Sequence, residues 1–209
     1  DKSACKRAVA GSGIHLAKEI LLNKSSEVNP DQIITELGLP LFVKPNASGS
    51  SFGVTKVKTP EELLPAIQEA FKESDQVLME EFIEGREISC GVMIAEGKEY
   101  VFPITELVSQ KEFFDYEAKY QGLSHEITPA DLPEAVRKEV NRLTLIAYKR
   151  LNCRGVVRID FIIKGDTPYM IEINTIPGMS SHSIIPQQAA AMGMSLTELF
   201  NLVIAETSK

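Results

Sequence analysis

Cysteine is scarce in this chain: Cys5, Cys90 and Cys153 are odd in number and widely scattered. They form neither a disulfide framework nor the close cysteine pairs of a zinc site, and they read as reduced thiols of a cytosolic protein. Positive charge is also short. Lysine and arginine total 22 against 29 aspartates and glutamates, for a formal net charge of −7. That balance excludes the broad basic stripe of a nucleic-acid or anionic-membrane surface, while leaving room for a local basic pocket. No apolar run approaches the roughly 20 residues that span a bilayer. No signal peptide is visible, and with Asp1 in first place an earlier segment is expected to precede it. Repeats and low-complexity tracts are absent.

What is present is an ordinary globular composition, 44% hydrophobic and 24% charged over 209 residues. That length is large for one domain and comfortable for two. Strands and helices interleave. A short helix is expected over 3–11, extended chain over 14–20, and a helix from Pro30 to Leu37 closed by Gly38. "LPLFVK" (39–44) reads as a strand. "TPEELLPAIQEAFKE" (59–73) opens on a capping box, Thr59 with Glu62, and Pro65 within it predicts a kink or a late start. A strand over 76–83 and a hairpin over 85–107 turning near Gly97 follow. Residues 108–130 are aromatic, charged and aperiodic, which predicts a long lid-like loop. Asp131 with Glu134 is expected to cap the longest helix, whose stripe is Val136, Val140, Leu143, Ala147 and Leu151. Strands 156–163 and 168–174 flank a tight turn at "KGDT", and Ser195 with Glu198 opens a last helix. The fold class is α+β, in two lobes, 1–85 and 86–209.

The polar residues on the last two strands carry chemistry. Arg158 and Asp160 are two apart, as are Glu172 and Asn174, so each pair shares a strand face. All four meet in a hairpin only for one pairing parity, which needs an odd loop or a bulge. Two readings stay open from spacing alone. One is a buried Arg158–Asp160–Glu172 salt-bridge network. The other is a Mg²⁺ site of hard oxygen donors, Asp160, Glu172 and Asn174.

Two further stretches bear on that choice. "LFVKPNASGSSFG" (41–53) puts Lys44 at a strand end before a small-residue loop able to form an anion nest. It is not a P-loop, because the lysine precedes the glycines. Beside an oxygen-donor metal cluster it reads as a nucleotide-triphosphate site. "MEEFIEGREI" (79–88) alternates apolar residues with carboxylates, as a half-exposed acidic strand or as a hinge that meets adenine and ribose. His15, His125 and His182 read as structural or loop histidines.

The segments "DK", "VKPNASGSSFG", "EEFIEGREI", "FFDYEAKYQG", "GVVRIDF" and "EINTIPGMSSHS", in that order, resemble the D-alanine–D-alanine ligase family of the ATP-grasp superfamily. The resemblance covers essentially the whole chain. It implies an ATP-grasp fold of two α+β lobes with ATP bound between them. The implied reaction is phosphorylation of one D-alanine by ATP and attack of a second D-alanine's amine on the acyl phosphate, for peptidoglycan precursors in the cytoplasm. The family is commonly dimeric, so a homodimer is expected of the full-length protein.

Carried over residue by residue, the resemblance implies that Lys2 and Lys44 hold phosphates, with Ser50 and Ser51 in the covering loop. Glu80 and the backbone at Glu81 and Ile83 would meet adenine, and Glu87 the ribose. Asp160, Glu172 and Asn174 would hold two Mg²⁺, or Mn²⁺, and Arg158 with the Gly178 N–H would stabilise the oxyanion. Ser183 and Ile184 would contact the second substrate. Lys119 and Tyr120 would sit in the lid, and "EAKY" favours D-alanine as acceptor. Alternatives are a D-alanine–D-lactate or D-alanine–D-serine ligase, or a nucleotide-binding module without ligase activity. The family's amino-terminal domain, which contributes contacts to the first D-alanine, is missing ahead of "DK". This chain alone is therefore expected to bind nucleotide with weak or absent dipeptide synthesis.

Overall fold

The structure is a computed structural model and describes residues 1–49, 52–109 and 124–207. Its described residues divide into two compact units. One comprises Asp1–Arg7 and Leu16–Ile83; the other comprises Ala8–His15, residues 84–109 and residues 124–207. Helix α1 (Lys2–Val9) and the short strand β1 (His15–Leu16) begin the chain.

The first unit is built on a four-stranded antiparallel sheet of β2 (Glu19–Asn23), β3 (Leu41–Pro45), β4 (Thr55–Val57) and β5 (Gln76–Glu81), in the order β2-β5-β3-β4. Alternation assigns its two faces. Leu22, Leu41, Val43, Val77 and Met79 join Ile33, Leu37, Leu63, Ile67 and Ala70 of helices α2 (Pro30–Leu37) and α3 (Pro60–Glu73) in one core. Glu19, Lys44 and Glu80 therefore point to the opposite face. Helix α2 begins at Pro30 as the sequence predicts, and α3 opens on the predicted capping box. Asn29 accepts from the Gln32 N–H at 3.1 Å, and Thr59 with Glu62 makes the capping box. Helix α3 runs unbroken from Pro60 to Glu73 and shows no late start at Pro65. A proline this near the first turn removes only one intrahelical bond, and the buried row Leu63, Ala66, Ile67 and Ala70 outweighs it.

The second unit carries a seven-stranded sheet. Its strands include β6 (Arg86–Ala95), β7 (Lys98–Val101), β8 (Thr105–Ser109), β9 (Ser124–Ile127), β10 (Val157–Lys164) and β11 (Thr167–Asn174). The order is β1-β11-β10-β6-β8-β9, with β7 also on β6. Where one hairpin was expected, β6 pairs with both β7 and β8. The β6–β7 turn has positive φ at both central residues, Glu96 (52°) and Gly97 (74°), as the twist of a two-residue hairpin requires. Residues 124–127, expected within a loop over 108–130, form β9 instead.

Helix α4 (Glu134–Arg150) buries Val136, Val140, Leu143 and Ala147. Pro133, not Asp131, is its N-cap. The residue before a proline is driven out of the helical region, so the helix cannot extend back through Leu132. Helices α5 (Ile184–Ala191), which the sequence did not announce, and α6 (Leu196–Thr207) contribute Ile185, Ala189 and Leu199 to a core with Met93 and Phe102. Ser195 and Glu198 cap α6 reciprocally. The three cysteines are free thiols, and burial pushes the Cys90 thiol up to about 12.

Candidate functional site

The sequence-derived site residues fall into one set in each unit. In the second unit, strand register decides whether Arg158, Asp160, Glu172 and Asn174 meet. The β10–β11 turn has two residues, Gly165 and Asp166, and Lys164 faces Thr167. Extended without interruption, that register would set Arg158 opposite Ile173, and the two polar pairs would lie on opposite faces. The register instead shifts between Asp160 and Phe161, leaving Ile171 as an extra residue. Arg158 then faces Asn174 and Asp160 faces Glu172. On the other side of β10, Gly91, Ser89 and Glu87 face Arg158, Asp160 and Ile162, which brings Glu87 and Ser89 onto the same face.

Within this cluster Arg158 grips Asp160 with both arms of its guanidinium, Nε to Oδ1 at 2.9 Å and Nη2 to Oδ2 at 2.8 Å. The buried Ser89 hydroxyl donates to the same Oδ1. A carboxylate offers about four acceptor positions. Asp160 therefore retains one, on Oδ2. Burial works against the Arg158 charge, but Asp160, Glu172 and Glu87 outweigh it and raise its pKa above the ordinary value. Asn174 Oδ1 accepts from the Ile176 N–H at 3.1 Å, and Ile176 itself is 89% exposed. Among the described residues no three of His, Cys, Asp and Glu converge on a cation site. The hairpin face differs in that its third oxygen donor is a carboxamide. The donor set of Asp160, Glu172 and Asn174, all hard oxygens with one Asp160 position left over, fits Mg²⁺.

The turn that follows is tight. A Cβ on Gly178 would lie 2.8 Å from Ser183 Oγ, so any larger residue there would push the Ser183 hydroxyl aside. Ser183 is the N-cap residue of α5, its hydroxyl 2.8 Å from that of Ser180, and Ile184 behind it is buried. Gln188, one turn on and fully buried, accepts from the Gly91 N–H at 3.0 Å and donates to Ser89 O at 2.9 Å and Thr105 Oγ1 at 3.0 Å. Gln188 thereby ties α5 to the strand that carries Ser89.

In the first unit, Lys44 and Glu80 form a buried ion pair, and Lys6 of α1 binds the same carboxylate from the other side. Burial alone would raise the Glu80 pKa; the Lys44 and Lys6 charges more than offset it and hold it below the usual range. Lys2 Nζ donates to Ser48 O at 2.6 Å and Pro45 O at 3.3 Å. Glu81 Oε1 accepts from the Lys18 N–H at 2.8 Å, its own N–H donates to Lys18 O at 3.1 Å, and Ile83 is buried. Ser50, Ser51, Lys119 and Tyr120 lie outside the described residues. Sequence reasoning missed Lys6 and Ser89. Ser89 was within reach, because Glu87, Ser89 and Gly91 alternate with the apolar Ile88, Cys90 and Val92. Lys6 comes from a separate helix and carried no such signal.

Comparisons with known proteins identify the family. The family model described as D-ala D-ala ligase C-terminus matches residues 9–205. A D-alanine–D-alanine ligase of Phocaeicola vulgatus is 50% identical over 205 residues, 98% of this chain and 63% of that protein. The enzyme of the same name from Flavobacterium johnsoniae is 48% identical over 192 residues, 92% of this chain and 59% of that protein. Among solved structures, a D-alanine–D-alanine ligase from Bacillus anthracis superposes with a TM-score of 0.84 at 33% identity, covering 100% of this chain and 66% of that one. A VanG D-Ala:D-Ser ligase from Enterococcus faecalis gives 0.86 at 33% identity, covering 98% and 60%. This chain spans about 60% of the length of the curated relatives it matches. With its α+β ATP-grasp fold and a family match running from residue 9 to residue 205, the chain belongs to the D-alanine–D-alanine ligase family, whose carboxy-terminal portion it matches.

Proposed function

We propose that the protein containing this chain joins two D-alanines at the expense of ATP, through a D-alanyl phosphate. The observation that carries this reading is the bulged hairpin, which sets Arg158, Asp160, Glu172 and Asn174 on one face ahead of the Gly178–Ser183 turn. A nucleotide-binding module has no use for an arginine held there, whereas an acyl transfer needs a donor where the oxyanion forms.

Asp160, Glu172 and Asn174 would hold Mg²⁺, or Mn²⁺, as two ions. When bound, they would neutralise charge on the ATP phosphates. Arg158, fixed by its fork on Asp160, is aimed without reorganisation and would stabilise the oxyanion together with the Gly178 N–H. Ser183, at the N-cap of α5, would meet the carboxylate of the second substrate, with Ile184 packed behind it. In the first unit Lys2, Lys44 and Ser51 would take phosphates, with Ser50 beside the transferred group. Glu80, Glu81 and Ile83 would take adenine, and Glu87 of the second unit the ribose. Lys119 and Tyr120 would exclude water from the acyl phosphate and favour D-alanine as acceptor. A homodimer in the cytoplasm completes the reading.

The acceptor is the open point, because a D-Ala:D-Ser ligase and a D-alanine–D-alanine ligase superpose on this chain about equally well. The test is ADP release by the full-length protein with Mg²⁺–ATP, D-alanine as donor, and D-alanine, D-serine or D-lactate as acceptor. Turnover that requires D-alanine, with D-alanyl–D-alanine as product, is expected. ATP hydrolysis indifferent to D-alanine would sink the reading.

A further inference from the structure

On the second face of the four-stranded sheet, nucleotide binding as proposed above employs Lys44 and Glu80 but leaves Lys6 and Glu19 without a task. Lys6 is 4% exposed. Its ammonium binds Glu80, lies 3.3 Å from Glu19 Oε2 and donates to Ala17 O at 3.4 Å. Glu19 and Glu80 are direct cross-strand partners, so two carboxylates share one spot on the sheet, an arrangement that is repulsive without a cation between them. Glu19 Oε1 accepts from Ser3 Oγ at 2.7 Å, while buried Oε2 has no hydrogen-bond partner. Among the described residues, Lys6 is the one cation within 4 Å of both carboxylates.

We propose that Lys6 is a positioning residue for nucleotide binding, keeping Glu80 charged and in place when Lys44 exchanges it for a phosphate. This rests on reading Lys44 as a phosphate contact and Glu80 as an adenine contact. In the structure those two groups satisfy each other. A nucleotide requires each of them separately. If Lys44 left a Glu80 that had no other partner, a bare carboxylate would stay buried beside Glu19, which is strongly unfavourable. Lys6 removes that obstacle. Two cations and two anions make the cluster neutral, and when phosphate takes Lys44, Glu80 still holds a full ion pair. Lys44 is the exchangeable partner because it sits near the end of β3, whereas Lys6 is anchored by Glu19 and Ala17 as well.

The experiment is calorimetric titration of the full-length protein with ADP and with adenosine, comparing wild type, Lys6→Met, Lys6→Arg and the double variant K6M/E19Q. Lys6→Met is expected to weaken ADP by roughly thirtyfold, the low end for truncating one partner of a buried charge pair. Adenosine should weaken less, KM for ATP should rise far more than kcat falls, and Lys6→Arg should recover most of the loss. The double variant keeps the cluster neutral, with one cation and one anion, so it separates folding from function. It should fold like wild type and still bind ADP weakly, because Lys44 remains committed to Glu80. ADP affinity in K6M/E19Q within about threefold of wild type, less than 1 kcal/mol, would overturn the proposal, leaving Lys6 as a counter-ion for Glu19. Failure of the wild type itself to bind ADP would overturn the underlying reading of the site, before any substitution is compared.

Discussion

The two charged clusters of this chain solve opposite problems. In the first unit, Lys6 and Lys44 face Glu19 and Glu80, two charges of each sign, with both lysines and Glu80 buried. In the second, Arg158 faces Asp160, Glu172 and Glu87, with Asn174 beside them. The first cluster is neutral and must give up a partner before it can hold an anion. The second brings the hard oxygens of Asp160, Glu172 and Asn174 together on one face of a hairpin.

The contrast breaks most visibly at Glu80. Glu80→Gln leaves two buried lysines with Glu19 alone, and removing one partner of a buried pair costs about 3–5 kcal/mol. Denaturant unfolding should show that loss. The same residue shapes the acid limb of stability. Its carboxyl is held below its ordinary value of 4.5 by Lys44 and Lys6 against the opposing effect of burial. A depressed carboxylate contributes stability above its unfolded pKa and loses it as pH falls through the folded one. Wild type should therefore lose stability below about pH 4.5, more steeply than Glu80→Gln does. Equal slopes would show that Glu80 is not held by the two lysines. Arg158, raised still further above its already high ordinary range by Asp160 and its neighbours, contributes no such limb near neutrality.

The next effect is kinetic. Arg158→Met removes the fork on Asp160 and, if Arg158 is the oxyanion donor proposed above, that donor with it. A fall in kcat of about 10²–10³ is expected, as for loss of one preorganised donor. The lost ion pair predicts a stability change as well, so kcat is compared at a temperature where both proteins are fully folded. A kcat within a few-fold of wild type would reduce the cluster to a structural network.

Much of this was legible before the structure, and the reasons are local. Caps at Thr59–Glu62 and Ser195–Glu198 act within a single turn, so four residues suffice to see them. Arg158, Asp160, Glu172 and Asn174 were visible because alternation is a property of one strand. What stayed hidden depends on distant parts of the chain. The parity that brings the four together comes from a bulge at Ile171, not from the turn at Gly165. Helix α5 has Pro186 inside it and buries Ile184, Ile185, Gln188 and Ala189 against its surroundings, so its residues lack a clear polar stripe. Lys6 reaches a carboxylate 74 residues away. No pattern within α1 distinguishes it from a surface lysine.

The smallest effect tests how far the second cluster relies on its own neighbours. Ser89→Ala removes one donor from Asp160 and leaves the Arg158 fork in place. Hydrogen bonds to charged groups contribute about 1.5–3 kcal/mol, and the low end applies here because the two Arg158 bonds persist. The loss should appear in denaturant midpoints without steepening the acid limb. Glu80 has no comparable fork: its two partners are separate lysines on separate elements, so Lys44 can leave while Lys6 stays. If Ser89→Ala cost as much as Glu80→Gln, the two clusters would be equally interdependent. Arg158 would then be no more firmly aimed than Lys44. A small cost places rigidity at Arg158 and exchangeability at Lys44, which is where the acyl phosphate chemistry proposed above would need each.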